Sequence, residues 1–219
     1  RGLISPLDFI SVAERTGAIR PLGHWILQQA LVDAKRFNSL GLPLQMSVNR
    51  SSQEFNVHHV ADEWLQMITT AGLDCEQLIF EITESGVMLN PEVALQVLHG
   101  LRECGISLSV DDFGTGYSSL AQLKRMPVQE LKIDQSFIRD LDEASEDAVI
   151  VRSTIDMSHS LGLKVVAEGV EYERSLRLLE RWGCDTVQGY LISRPLSAEA
   201  FETWHGQPLN PLLLRETER

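Results

Sequence analysis

Cysteine is scarce in this chain. Cys75, Cys104 and Cys184 are the whole set, odd in number and without a C-x-x-C pair. They give no disulfide framework and read as reduced core or near-core thiols of a cytosolic protein. Positive charge is also short: 19 Lys and Arg stand against 31 Asp and Glu, for a net charge of -12. That argues against non-specific binding to nucleic acid polymers, which needs a basic face. It leaves room for a small anionic ligand held through cations. No apolar run approaches the ~20 residues that span a bilayer, and no signal-peptide pattern opens the chain. This segment is therefore expected to touch no membrane and to sit in the cytoplasm, even if the parent protein is membrane-anchored. An initiator methionine is missing as well. The chain begins at Arg1 and reads as a fragment or a processed form.

What is present fits one globular domain with a sizeable core, at 219 residues and 43% hydrophobic. Ser5-Pro6-Leu7-Asp8 opens a short helix, with Ser5 as N-cap and Gly17 as its stop. A second helix runs from about Pro21 to Ser39, carrying Leu22, Trp25, Ile26, Ala30, Ala34 and Phe37 as an apolar stripe. Then strands and helices alternate. Strands are expected at Leu44–Asn49, Leu78–Thr83, Ile106–Asp111, Glu130–Asp134, Lys164–Glu168 and Thr186–Tyr190. Helices are expected at His58–Ala71, Pro91–Cys104, Ser118–Met126, Glu146–Leu161 and Tyr172–Trp182. This rhythm predicts an α/β fold with a parallel sheet and crossover helices. Six strand units fall short of the eight of a closed barrel. An open sheet of six is the alternative. Because an incomplete ring leaves open edges, the barrel reading places two more strands upstream of Arg1.

In such a barrel the active site lies at the carboxyl ends of the strands. The six strands offer there Asn49, Glu81, Asp111 with Asp112, Lys132 with Asp134, Glu168 and Gln188. A single polar residue among β-branched neighbours is explained by a core salt bridge. Six strands with polar ends are not, because ionised groups are costly to bury unless paired or metal-bound. Asp111 and Asp112 are adjacent, and successive residues of a pleated strand point to opposite faces. For both to serve one site, the backbone must break its pleat there, or the site must hold two centres. Gly114 and Gly116 allow a tight turn behind them. Helix capping is the bland role for the pair. The donor set is all oxygen, without His or Cys, and suits Mg²⁺ or Mn²⁺ rather than Zn²⁺. Four or five carboxylates are enough for two cations. Two cations can lower the pKa of an attacking water and clamp both oxygens of an in-line phosphoryl displacement. Lys132, the one cation among these acids, can orient that water or stabilise charge on the phosphate.

These segments resemble the EAL-domain family, the bacterial cyclic-di-GMP phosphodiesterases. The matching pieces are Ser47-Val48-Asn49, Glu81-Ile82-Thr83-Glu84-Ser85, Asp111-Asp112-Phe113-Gly114-Thr115-Gly116-Tyr117-Ser118-Ser119-Leu120, Leu131-Lys132-Ile133-Asp134, Ala167-Glu168-Gly169-Val170-Glu171 and Gln188-Gly189-Tyr190. The resemblance implies a TIM-like (β/α) barrel, here lacking its first two strands, that opens cyclic di-GMP to linear pGpG with two Mg²⁺ or Mn²⁺ ions. It assigns Asn49, Glu81 and Asp111 to the first metal, with Asp111 bridging to a second metal held by Asp112. Glu168 is second-metal ligand or general base, and Lys132 stands at the water and phosphate. Gln188, Asp134 and Glu171 are the candidate substrate contacts, although Glu171 serves equally as a helix cap. Glu84 holds the Phe113–Ser119 loop that links the metal site to a dimer contact. The expected partners are therefore cyclic di-GMP, a second copy of the chain, and other signalling domains of the parent protein. The family's namesake Glu-Ala-Leu stretch, whose glutamate is a metal ligand, is not in this chain. That favours weak or no turnover by the fragment, and the runner-up function is a receptor that binds cyclic di-GMP without cleaving it. A third reading, a barrel enzyme acting on a small carbonyl metabolite, is disfavoured by the Asp111-Asp112 pair. Residues 1–205 are expected to form the domain and 206–219 a tail. His58-His59 reads as surface or cap, and the four tryptophans as packing residues.

Overall fold

The computed structural model describes residues 4–56, 59–83, 91–115 and 120–206. Helix α1 (Pro6–Thr16) begins on a proline that needs no N–H partner and stops at Gly17, whose φ of 76° ends the turn. Ser5 takes the N-cap conformation, but its side chain makes no capping hydrogen bond. After α2 (Ile19–Ser39), strands and helices alternate: β1 (Met46–Arg50), α3 (Val60–Ala71), β2 (Leu78–Thr83), α4 (Pro91–Glu103), β3 (Ser107–Phe113), α5 (Leu120–Leu123), β4 (Glu130–Ile133), α6 (Glu146–Ser160), β5 (Lys164–Ala167), α7 (Glu173–Arg181), β6 (Thr186–Val187) and α8 (Ala198–His205). The strands follow one another through a six-stranded sheet in sequence order. The pairs β1–β2, β2–β3 and β5–β6 are parallel. This is the α/β class expected, with six strands of a TIM-like barrel present. No helix among the described residues is long and apolar enough to cross a membrane.

Tertiary contacts divide the chain into two compact units, Arg1–Glu130 and Leu131–Arg219. In the first, alternate residues of the strands, Val48, Phe80, Ile82, Leu108 and Val110, are buried, as are Leu27, Leu31, Trp64, Ile68, Leu98 and Leu101 of α2 to α4. Phe55, Trp64 and Phe80 meet edge to face, with ring centroids 5.5 and 5.3 Å apart. In the second unit, Val165, Val166 and Ala167 of β5 are all buried, as a strand covered on both faces requires. Val151 and Ile155 of α6 and Leu179 of α7 are buried there too.

Several boundaries differ from expectation. Strand β6 is two residues rather than five. Its continuation is bent away, because the Gln188 carbonyl accepts a hydrogen bond from Val170 N–H at 3.0 Å. Strand β3 runs two residues past Asp111. Helix α8 was not foreseen. The Ser197 hydroxyl accepts from the Ala200 N–H and starts it, and the helix runs to His205. A turn of 3-10 helix, Ser52–Asn56, lies between β1 and α3, outside the expected elements. The tail at 207–219, His58, and the Gly116–Ser119 part of the expected loop lie outside the described residues.

Candidate active site

In the first unit, parallel register turns sequence positions into a row. Asn49 lies opposite Glu81, and Glu81 opposite Ser109. Register partners in a parallel sheet share a face, and neighbouring strands stand about 4.8 Å apart. Asn49, Glu81 and Ser109 therefore project from one face as a rank across β1, β2 and β3. Asp111 projects from that face two residues further along β3, about 6.6 Å nearer the carboxyl end at the usual rise, beside Thr83. Burial along the row is uneven. Asn49 is exposed, Glu81 is 5% exposed and Asp111 is 9% exposed.

Asp112 settles the pleat question. Its φ is 54°, and it is the single non-glycine with positive φ among the described residues. This left-handed conformation is one that aspartate tolerates better than most residues. It interrupts the alternation, so Asp112 is not constrained to the face opposite Asp111. The break is tied down on both sides. The Asp112 N–H donates to Oδ1 of Asp111 at 3.1 Å. The Asp112 carbonyl accepts from Thr115 Oγ1 at 2.9 Å and from Thr115 N–H at 3.3 Å. Gly114, at φ 99°, completes the turn. Four oxygen-bearing side chains, Asn49, Glu81, Asp111 and Asp112, thus stand at the carboxyl ends of three adjacent strands. They include no nitrogen or sulfur ligand, and their chemistry fits a hard divalent cation.

In the second unit, Lys132 of β4 and Glu168 just after β5 form an ion pair of 2.6 Å, with side chains 4% and 18% exposed. The Glu168 N–H donates to the Ile133 carbonyl at 3.1 Å and so continues the β4–β5 pairing by one residue. Gly169 follows at φ 69°, and a β-carbon there would come within 2.5 Å of the Gln135 β-carbon. The main chain of Gln188 is held at both ends, by N–H donation to Ala167 at 2.9 Å and acceptance from Val170 at 3.0 Å. Its side chain is exposed. Gly189 packs flat on the main chain of Val170, where a β-carbon would sit 2.2 Å from the carbonyl oxygen.

The remaining candidates take other positions. Asp134 is an N-cap, its carboxylate accepting from the Ser136 N–H at 2.9 Å. Glu171 is exposed just before α7, whose N-cap position is held by Tyr172. Arg194 lies over the Tyr190 ring at 4.8 Å in the closing turn. Glu84 lies outside the described residues. His59 precedes α3 on the surface, 3.7 Å from Asp62.

Two features escaped the sequence reading. One is Ser109, the third member of the row. The other is the ion pair of Arg50 and Glu54 behind it. Arg50 follows Asn49 and so points to the opposite face, where it is 3% exposed. Its Nη1 donates to the Gly23 carbonyl at 2.8 Å, and its Nη2 to Glu54 Oε1 at 2.7 Å. The guanidinium also lies over the Trp64 ring at 4.0 Å. An Arg and a Glu four apart are a visible signal, but one normally assigned to an exposed helix face. A groove between α2 and α3, lined by His24, Gln28, Leu31, Lys35 and Met67 among others, contains none of the strand-end acids.

Comparison with known proteins gives one family. The EAL domain family matches residues 1–195. The chain is 41% identical over 199 residues to the bifunctional diguanylate cyclase/cyclic di-GMP phosphodiesterase MucR of Pseudomonas aeruginosa, covering 90% of this chain and 29% of that protein. It is 37% identical over 205 residues to the cyclic di-GMP phosphodiesterase PdeR of Escherichia coli, covering 94% of this chain and 31% of that protein. The solved complex of the PaMucR phosphodiesterase with c-di-GMP superposes with a TM-score of 0.86 at 40% identity, over 91% of this chain and 88% of that one. The chain thus spans about a third of the length of these curated relatives.

Proposed function

The chain belongs to the EAL domain family, and from that premise we propose that it is the phosphodiesterase domain of a protein that hydrolyses cyclic di-GMP to linear pGpG. The observation that carries this reading is the all-oxygen set Asn49, Glu81, Asp111 and Asp112 at the ends of β1 to β3, with the left-handed turn at Asp112. The family match also spans both compact units. On this reading both sets of strand-end residues serve one reaction, with residues 1–205 as the domain.

Asn49, Glu81 and Asp111 would hold one Mg²⁺ or Mn²⁺, and Asp111 and Asp112 a second, with Glu168 either a further ligand of the second ion or the general base. When bound, such a pair supplies charge neutralisation at the phosphate and a more acidic water. The chain's own groups do the rest. The Asp112 N–H donates to one Asp111 oxygen and so orients that carboxylate. Lys132 holds Glu168 at 2.6 Å, which aims the carboxylate. As the general base, Glu168 can accept a proton from the attacking water, while the Lys132 ammonium offsets charge growing on the phosphate. Gln188, with Asp134 and Glu171, would contact the guanine or ribose of the substrate, and Glu84 would hold the loop after Asp112. The same reading makes the parent a cytoplasm-facing homodimer with further signalling domains.

The test is chromatographic assay of cyclic di-GMP turnover by the full-length parent and its Asp111→Asn variant, with Mg²⁺ or Mn²⁺ present. The expected result is pGpG from the parent and none from a variant with the parental circular dichroism spectrum. Normal hydrolysis by the variant would remove Asp111 from the mechanism. Tight binding without turnover by the parent would make it a receptor instead.

A further inference from the structure

The row Asn49–Glu81–Ser109 ends in a buried hydroxyl. Ser109 is 0% exposed, and its Oγ has no hydrogen-bond partner among the described residues. Burying a hydroxyl unpaired costs about 1–3 kcal/mol, and alanine would fill the same place without that cost. The register puts Ser109 directly opposite Glu81, itself 5% exposed, and on the same face as Asp111 two residues further on. Ser158 and Ser175 also have unpartnered hydroxyls. They lie on α6 and α7, where a carbonyl one turn back is within reach of a rotamer change. Ser109 is on a strand, where the main-chain groups are engaged in the ladder and the facing side chain is a carboxylate.

We infer that Ser109 is a positioning residue for Glu81. Its hydroxyl donates to the Glu81 carboxylate, directly or through one ordered water, and fixes that carboxylate's orientation when a divalent cation is bound. A carboxylate offers about four lone-pair sites, so a hydroxyl can occupy one while another faces a cation. Partners of this outer kind typically change metal affinity by about 10–100-fold. The inference rests on reading Glu81 as a cation ligand.

The experiment uses the full-length parent, its Ser109→Ala variant and its Ser109→Cys variant, which restores a weak donor of similar size. Mn²⁺ affinity is measured by titration calorimetry, and urea unfolding is measured in EDTA. Ser109→Ala is expected to bind Mn²⁺ at least about 10-fold more weakly, with cation-free stability unchanged or raised. Its turnover should recover as Mn²⁺ is raised to saturation, and Ser109→Cys should fall between the two. Unchanged Mn²⁺ affinity in Ser109→Ala overturns the inference while leaving the metal reading of Glu81 intact. Weaker binding accompanied by an equal loss of cation-free stability also overturns it, because packing then explains both. A parent that takes up no Mn²⁺ removes the metal reading itself, and the role of Ser109 with it.

Discussion

Replacing Glu54 by alanine strands the guanidinium of Arg50 in the interior. Arg50 is 3% exposed, and burial pushes its pKa down to about 10, an effect that Glu54 partly opposes. Glu54 is in turn pushed up by burial and held down by Arg50 and by the Ser51 N–H. With the carboxylate removed, the desolvation of Arg50 is unopposed, and the Gly23 carbonyl and the Trp64 and Phe80 rings are the partners left among the described residues. Breaking a buried pair from one side costs about 3–5 kcal/mol. Water entering the vacated space places Glu54→Ala near the lower figure. Against a typical stability of about 5–15 kcal/mol that is a large fraction. With a urea m-value near 2 kcal/mol/M, the midpoint should fall by about 1.5 M. Tryptophan fluorescence in a urea titration reads this out, because Trp64 lies under the guanidinium. The double variant Arg50→Leu with Glu54→Ala should be more stable than Glu54→Ala alone, because no buried charge is left unpaired. A midpoint shift below about 0.5 M, or a double variant whose loss is the sum of the two single losses, would refute the argument.

Gly189→Ala should unfold or lose solubility, since its β-carbon would sit 2.2 Å from a main-chain oxygen that cannot move aside; expression and melting temperature check this. At φ 54°, Asp112→Ala should be about 1 kcal/mol less stable than Asp112→Asn, because asparagine tolerates the left-handed region; chemical denaturation in EDTA measures the difference. Asp185 tests pH dependence. Burial raises its pKa, but the His159 ring at 2.9 Å and the Val165 N–H at 2.8 Å outweigh that and leave it below the ordinary value. A lowered carboxylate pKa adds stability above the unfolded value, and that stability is lost as pH falls below about 4. Asp185→Asn should therefore flatten the acid limb of a melting-temperature profile. If the metal reading holds, Mg²⁺ or Mn²⁺ should raise the melting temperature of the parent in a concentration-dependent way and EDTA should reverse it.

Strand β2 was legible to the residue, Leu78–Thr83, because β-branched and aromatic residues crowd between two polar turns. The strand-end acids were legible for a related reason: a carboxylate inside an apolar strand breaks the local pattern. Ser109 was invisible by the same test, since serine at an alternating position reads as an ordinary polar face. Arg50 and Glu54 were hidden because their pairing depends on a 3-10 turn and on Gly23, where a β-carbon would lie 2.4 Å from Glu54 Oε1. The length of β6 turned on hydrogen bonds from Val170, 18 residues upstream of Gln188, which no local window contains. For Asp111 and Asp112 to serve one site, the sequence allows either a broken pleat or two centres, and φ at Asp112 shows that the backbone does break there.

The pairing of Asn49 with Glu81 and of Glu81 with Ser109 makes the site all-or-nothing in assembly. Sliding β2 by one residue would present Phe80 or Ile82 in place of the glutamate, with no intermediate placement on offer. On the proposed metal reading, a misassembled molecule would contribute blank protein rather than sluggish catalyst, and the ratio of cation bound to protein present would count the correctly aligned fraction of a preparation.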